Sequence, residues 1–72
     1  MKLENLQKKL IKLKLKFENN KILINDKDFI TIHSFKKDVV SCFELNDYNI
    51  FFKNFNQVYQ YLFEANLLKN NQ

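Results

Sequence analysis

The chain is predicted to fold as an α+β domain. An antiparallel β-meander of four to five strands is flanked by an N-terminal and a C-terminal helix packed on one face. Three observations predict it. The stretch from Phe29 to Lys53 supports three consecutive strands whose apolar residues fall on a common side. The first twelve residues place leucines at helical spacing. Asn54-Phe55-Asn56-Gln57 has the form of a capping box in front of a second helical stripe.

The central strands rest on a test of alternation. Side chains on a strand point to alternate faces, so a valid register must bring apolar residues of every strand to one side together. With Lys36-Lys37 as the first tip, Ser34 faces Val39, Ile32 faces Ser41 and Ile30 faces Phe43. With Asn46-Asp47 as the second, Leu45 faces Tyr48, Phe43 faces Ile50 and Ser41 faces Phe52. One face then collects Ile30, Ile32, Val39, Phe43, Leu45, Tyr48, Ile50 and Phe52. The other collects a mixed set that includes Phe29, Thr31, His33, Phe35, Val40, Cys42, Glu44, Asn49, Phe51 and Lys53. That contrast is what a sheet covered on one side requires. Asn and Asp tolerate left-handed backbone, so Asn46-Asp47 serves as a turn without glycine. At the first tip, a four-residue loop from Phe35 to Asp38 keeps the same alternation and suits the lysines better.

Residues 1–12 read as a helix with Leu3, Leu6 and Leu10 on its buried stripe, Glu4 near its start and lysines toward its end. From Ile11 to Phe17 apolar residues and lysines alternate strictly, which is the period of a strand. The reading adopted is a hairpin of Leu13–Glu18 with Lys21–Asn25 across Asn19-Asn20, setting Phe17 opposite Ile22 and Leu15 opposite Ile24. The rival is one helix running to Glu18. Between this hairpin and the central strands, around Asn25 to Asp28, a three- or five-residue loop with a bulge is expected, which keeps Ile22 and Ile24 on the face of Ile30. In the last helix Phe55, Val58, Leu62, Ala65 and Leu68 form the inward stripe, and Asn70-Asn71-Gln72 is a polar tail.

At 72 residues the chain is expected to be a single small domain, residues 1–72, with a limited core. It has one cysteine and one histidine, which make neither an internal disulfide nor a metal cage, and no cofactor is expected. No apolar run approaches the roughly 20 residues that span a bilayer, and the N-terminus lacks a signal peptide's apolar segment. The expected location is the cytoplasm, of a host if the chain is viral, with no membrane association. The net charge of +4 comes from 12 lysines and no arginine, alongside an absence of Gly, Pro and Trp and a single Ala. Lys, Asn, Ile and Phe have AT-rich codons, so part of this basicity reflects nucleotide composition rather than an anionic partner.

Candidate functional residues fall into three groups. Cys42 and His33, on the mixed face, would begin a thiol nucleophile. No oxyanion-hole loop or orienting third group accompanies them, so no enzyme activity is expected. Lys8, Lys9, Lys12, Lys14 and Lys16 form a basic strip suited to phosphates. Phe29, Phe35, Val40 and Phe51 make the second sheet face more apolar than water favours. Tyr59 and Phe63, with Leu67, form a second stripe on the last helix.

The function expected from these features is a small non-catalytic protein-binding module. Phe29, Phe35, Val40, Phe51, Tyr59 and Phe63 supply its interface with a host protein or a second copy of itself, as a homodimer. Size and composition suit a phage or mobile-element accessory protein that inhibits a host protein by occlusion, with anti-CRISPR action on defence machinery as one example. The alternatives are a nucleic-acid binder using the lysine strip, with Phe51 or Tyr48 stacking on bases, and a structural homo-oligomer. No small-molecule substrate is expected.

Overall fold

The structure, a computed structural model, describes residues 1–46 and 49–68. Helix α1 spans Leu3–Leu13. Strands β1 (Lys16–Glu18), β2 (Lys21–Leu23), β3 (Phe29–His33), β4 (Cys42–Leu45) and β5 (Ile50–Phe52) follow, and α2 spans Phe55–Glu64. The strands form one antiparallel sheet in chain order, β1-β2-β3-β4-β5. It is the predicted α+β meander at its full count of five. Among the described residues, no helix is long and apolar enough to cross a membrane.

The change from helix to strand is real but falls later than expected: Leu13 is the last residue of α1 and β1 begins at Lys16, so Leu13 is helical and Leu15 is not in the ladder. α1 stops because Lys14 turns left-handed, with φ of 59°. The Leu15 amide then donates back to the Leu10 carbonyl at 2.9 Å and the Lys14 amide to that of Ile11 at 3.1 Å. This is the Schellman arrangement, which satisfies carbonyls the helix end leaves open. A helix continuing to Glu18 is thereby excluded. Asn19 and Asn20 both take positive φ and close the hairpin, with Phe17 opposite Ile22 as expected. α2 ends in the same way: Asn66 is left-handed, and the Leu67 amide reaches the Leu62 carbonyl at 2.9 Å. A chain without glycine has placed Asn at five of its seven left-handed positions among the described residues. Asn's short polar side chain makes that conformation least costly after Gly.

The loop before β3 has three residues, Asn25 to Lys27, because the Ile24 amide already pairs with the Asp28 carbonyl at 3.0 Å. The odd count brings Ile22 opposite Ile30. Asn25 Oδ1 accepts from the amides of Lys27 and Asp28, both at 2.8 Å, and holds the turn.

Both central hairpins keep the predicted faces and shift the predicted register by two residues. Ile30 pairs with Leu45 and Ile32 with Phe43, while Phe43 pairs with Phe52 and Leu45 with Ile50. The cause at the first hairpin is visible. Its tip is Lys37-Asp38, between Lys36 and Val39, with Asp38 rather than a lysine in the left-handed position. Moving a tip by one residue moves every pair by two, so no side chain changes face. Tyr48 and the second half of the Asn46-Asp47 tip lie outside the described residues, as does the tail at 70–72.

Both helices pack on the inner face. Leu6 and Leu10 from α1 and Phe55, Val58 and Leu62 from α2 join Ile22, Ile30, Ile32, Phe43 and Leu45 in one cluster. α2 is capped as predicted. The Gln57 amide donates to Asn54 Oδ1 at 3.0 Å, while Gln57 Oε1 accepts from the Lys53 amide at 2.8 Å, one residue earlier than the usual box. Ile50, assigned to the core face, is instead largely exposed, because it lies on the last strand of the sheet.

Val40 is the clear correction to the predicted outward set, since it is only 4% exposed. The segment before β4 is claimed by the start of the chain. The Val40 amide donates to the Met1 carbonyl at 2.7 Å, the Met1 ammonium to the Val40 carbonyl at 3.1 Å, and the Leu3 amide to the Asp38 carbonyl at 2.9 Å. These bonds lay residues 1–3 along residues 38–40 and bring Val40 into the core.

Candidate functional site

With both helices on the inner face, no described element packs on the outer one. Pairing aligns its residues in rows across the sheet. One row runs Glu18, Lys21, Thr31, Glu44, Phe51, from β1 to β5. A second places Lys16, Leu23 and Phe29 side by side. A third pairs His33 with Cys42.

Glu44 is the polar centre of this face. It sits on β4 between Thr31 and Phe51, and its side chain is only 12% exposed. Two groups stabilise it. His33 Nε2 donates to Glu44 Oε1 at 3.0 Å, which requires a proton on Nε2, and the Asn49 amide donates to Oε2 at 3.3 Å. The His33 ring in turn lies 6.0 Å from that of Phe51. Toward β2, the Lys21 ammonium stands 4.7 Å above the Phe29 ring, a cation–π contact that also shields the ring from water. The face is therefore a ribbon of aromatic and charged groups, with Phe51, 54% exposed, as its most open apolar member.

At one border Asn46 ties the strand ends together. Its Oδ1 accepts from the Phe29 amide at 2.7 Å and its Nδ2 donates to Asp28 Oδ1 at 3.0 Å, while Asn25 Nδ2 reaches Asp28 Oδ2 at 3.0 Å. The hydrogen bonds from Asn46 and then Asn25 hold the Asp28 carboxyl below the usual aspartate range. A lowered pKa means Asp28 favours folding while ionised. That contribution is full above the unfolded value and is lost as pH falls through the folded one.

Among the described residues, Thr31 is the one flaw in this surface. Its hydroxyl oxygen is buried among its row neighbours and has no hydrogen-bond partner. A buried hydroxyl left unpaired costs about 1–3 kcal/mol. Thr31→Val keeps the shape and the β-branch, so it is expected to raise stability by about 1 kcal/mol, read as a higher urea midpoint with an unchanged slope.

The sequence-predicted residues are dispersed more than expected. Phe29 and Phe51 share the outer face. Phe35 stands apart on the β3–β4 hairpin, 83% exposed, and Val40 is buried. Tyr59 and Phe63 lie on α2, near-parallel at 15° and 6.4 Å between ring centroids, on the helix side of the sheet. The expected sheet-face patch is thus reduced to Phe29 and Phe51, with Tyr59 and Phe63 on the separate stripe of α2. Of the basic strip, Lys8, Lys9 and Lys12 are exposed on α1 and Lys14 ends that helix, but Lys16 falls on the outer face. Phe51 is also on the outer face, so it is not placed to stack beside the α1 lysines.

Cys42 was expected opposite Thr31 and diagonal to His33. The two-residue shift makes His33 its direct partner, yet no hydrogen bond joins thiol and ring; the histidine's bond goes to Glu44. The His33–Glu44 pair itself was not read from the sequence. A tip at Lys37-Asp38 would have revealed it, since that register places Glu44 beside the neighbour of His33. Among the described residues, no three His, Cys, Asp or Glu side chains are grouped to hold a metal ion.

Fold and surface together define a small α+β domain with a one-sided core and an aromatic, charge-laced outer face. The chain matches no known protein family, curated protein or solved structure.

Proposed function

We propose that the chain is a non-catalytic protein-binding module that docks its partner on the outer sheet face and the adjoining edge of β5. The observation that carries this reading is the contrast between the two edges of the sheet. β1 carries charges, Lys16 and Glu18, on the outer face at its edge. Charges of this kind discourage further strand pairing. β5 is Ile50-Phe51-Phe52, uncharged, with the first two residues exposed. An apolar edge that pairs with no further strand among the described residues, beside an apolar-rich face, is the surface to which an extended segment of another protein adds as a strand.

The mode of action is occlusion. The extension to a phage or mobile-element protein that blocks a host protein, such as defence machinery, rests on an amino-acid composition rich in residues with AT-rich codons.

The test is capture and sedimentation with the tagged chain and its Phe51→Glu variant. Wild type is expected to retain a protein at micromolar concentration, or to self-associate. Phe51→Glu, on an exposed site, is expected to keep the fold and lose that association by tenfold or more, in the range of about 2 kcal/mol for a central aromatic contact. A monomer that retains nothing would remove the proposal.

A further inference from the structure

The helix side of the domain holds a second surface, independent of the docking face. α1 and α2 border a groove lined by Lys9, Lys12 and Leu13 on one side and Phe55, Asn56 and Tyr59 on the other. Past the start of α2 it adjoins another groove, which shares Lys9, Phe55 and Asn56 and adds Lys53 and Asn54. Among the described residues, no Asp or Glu lines either one. The first turn of α2 is also free of acidic residues, so its partial positive charge is unopposed there. The track therefore has three lysines of one sign. It is flanked by the exposed Tyr59 ring and the near-parallel Phe63 ring beside it.

We propose that this α1–α2 seam binds single-stranded nucleic acid, with Lys9, Lys12 and Lys53 on successive phosphates and Tyr59, extended by Phe63, as the platform for stacked bases. Two features select this ligand. Lys9 and Lys12 are three apart on α1, hence neighbours at roughly 5–6 Å between Cβ atoms, and ammonium groups at that spacing follow a phosphate chain as point charges. The flat exposed Tyr59 ring at the groove wall, with Phe63 near-parallel beside it, accepts unstacked bases of any identity, which a duplex does not present. With no arginine in the chain, the usual bidentate reader of paired bases is missing, so binding tolerates sequence. The structure joins residues that the sequence assigned to separate roles, the lysines to phosphate and Tyr59 and Phe63 to protein contact.

Fluorescence anisotropy with labelled oligouridine and oligodeoxythymidine tests this. Binding is expected at low salt and to fall with added salt. Lys9→Gln with Lys12→Gln should flatten the log–log salt slope by about 1.4, from roughly 0.7 per phosphate. Tyr59→Ala should weaken binding about 5- to 150-fold with the slope unchanged. Tyr59→Leu, which retains apolar packing without the ring, should show the same loss, with folding confirmed by circular dichroism. Lys16→Gln with Lys27→Gln, away from the seam, should leave binding within twofold. Phe51→Glu should also leave it intact, which separates this site from the docking face. The proposal is overturned by absent binding at low salt, by equal losses from the two lysine pairs, by duplex binding as tight as single-stranded, or by polyglutamate binding more tightly than the oligonucleotides.

Discussion

Phe43→Ala is expected to lower the urea midpoint steeply, removing a large share of the stability the domain holds. Phe43 is 2% exposed in the middle of β4, with β3 and β5 on either side. Its ring meets that of Phe55 at 61° and 6.1 Å, so it is also the joint between sheet and α2. Truncating a buried phenylalanine costs about 3–5 kcal/mol, because the lost transfer energy is joined by the cavity left behind. A domain of this length holds roughly 4–11 kcal/mol in total, and its small core offers little to refill the space. Phe43→Leu should recover most of the loss, with a deficit below about 1.5 kcal/mol. Urea titration followed by circular dichroism reads both variants. A Phe43→Ala loss under about 1 kcal/mol would mean that the ring is not at the centre of the core.

Ile32→Lys is expected to abolish folding, while His33→Lys, one residue on, costs less than about 1 kcal/mol. Ile32 lies under the helices in the apolar cluster, where an ammonium group finds no acceptor. An unpaired buried charge exceeds what so small a domain can absorb. His33 points to the open face, where a lysine keeps an opposite charge in Glu44. The pair of variants tests the face assignment independently of any ligand. Equal damage from both would contradict a sheet covered on one side only.

These predictions depend on the part of the fold that was legible in the sequence. Ile30, Ile32, Phe43 and Leu45 had to share a face because alternation admits no other solution for three adjacent segments. The Asn19-Asn20 hairpin was legible because few residues take left-handed backbone in a chain without glycine. Asn54 and Gln57 marked the start of α2 by the same kind of local chemistry. The outer face was harder to read. Its members were identified, but their neighbours were not, since the hydrophobic pattern is blind to a slide of two residues.

The amino-acid order by itself determined that Ile22, Ile30, Ile32, Phe43 and Leu45 share the covered side of the sheet, where α1 begins and ends within two residues, where α2 begins, and that Asn19-Asn20 closes the first hairpin. Each of these is set by interactions over a few residues. The tertiary structure alone decided the pairing of His33 with Cys42 and of Glu44 with Thr31, through the left-handed Asp38 at the hairpin tip, and that of Glu44 with Phe51 in the next hairpin. It alone buried Val40, because residues 1–3 return to hydrogen-bond with residues 38–40. It alone set Lys9 and Lys12 across a groove from Tyr59. The reason is common to all three: each depends on how distant segments are laid together, and periodicity along the chain carries no information about distance across it.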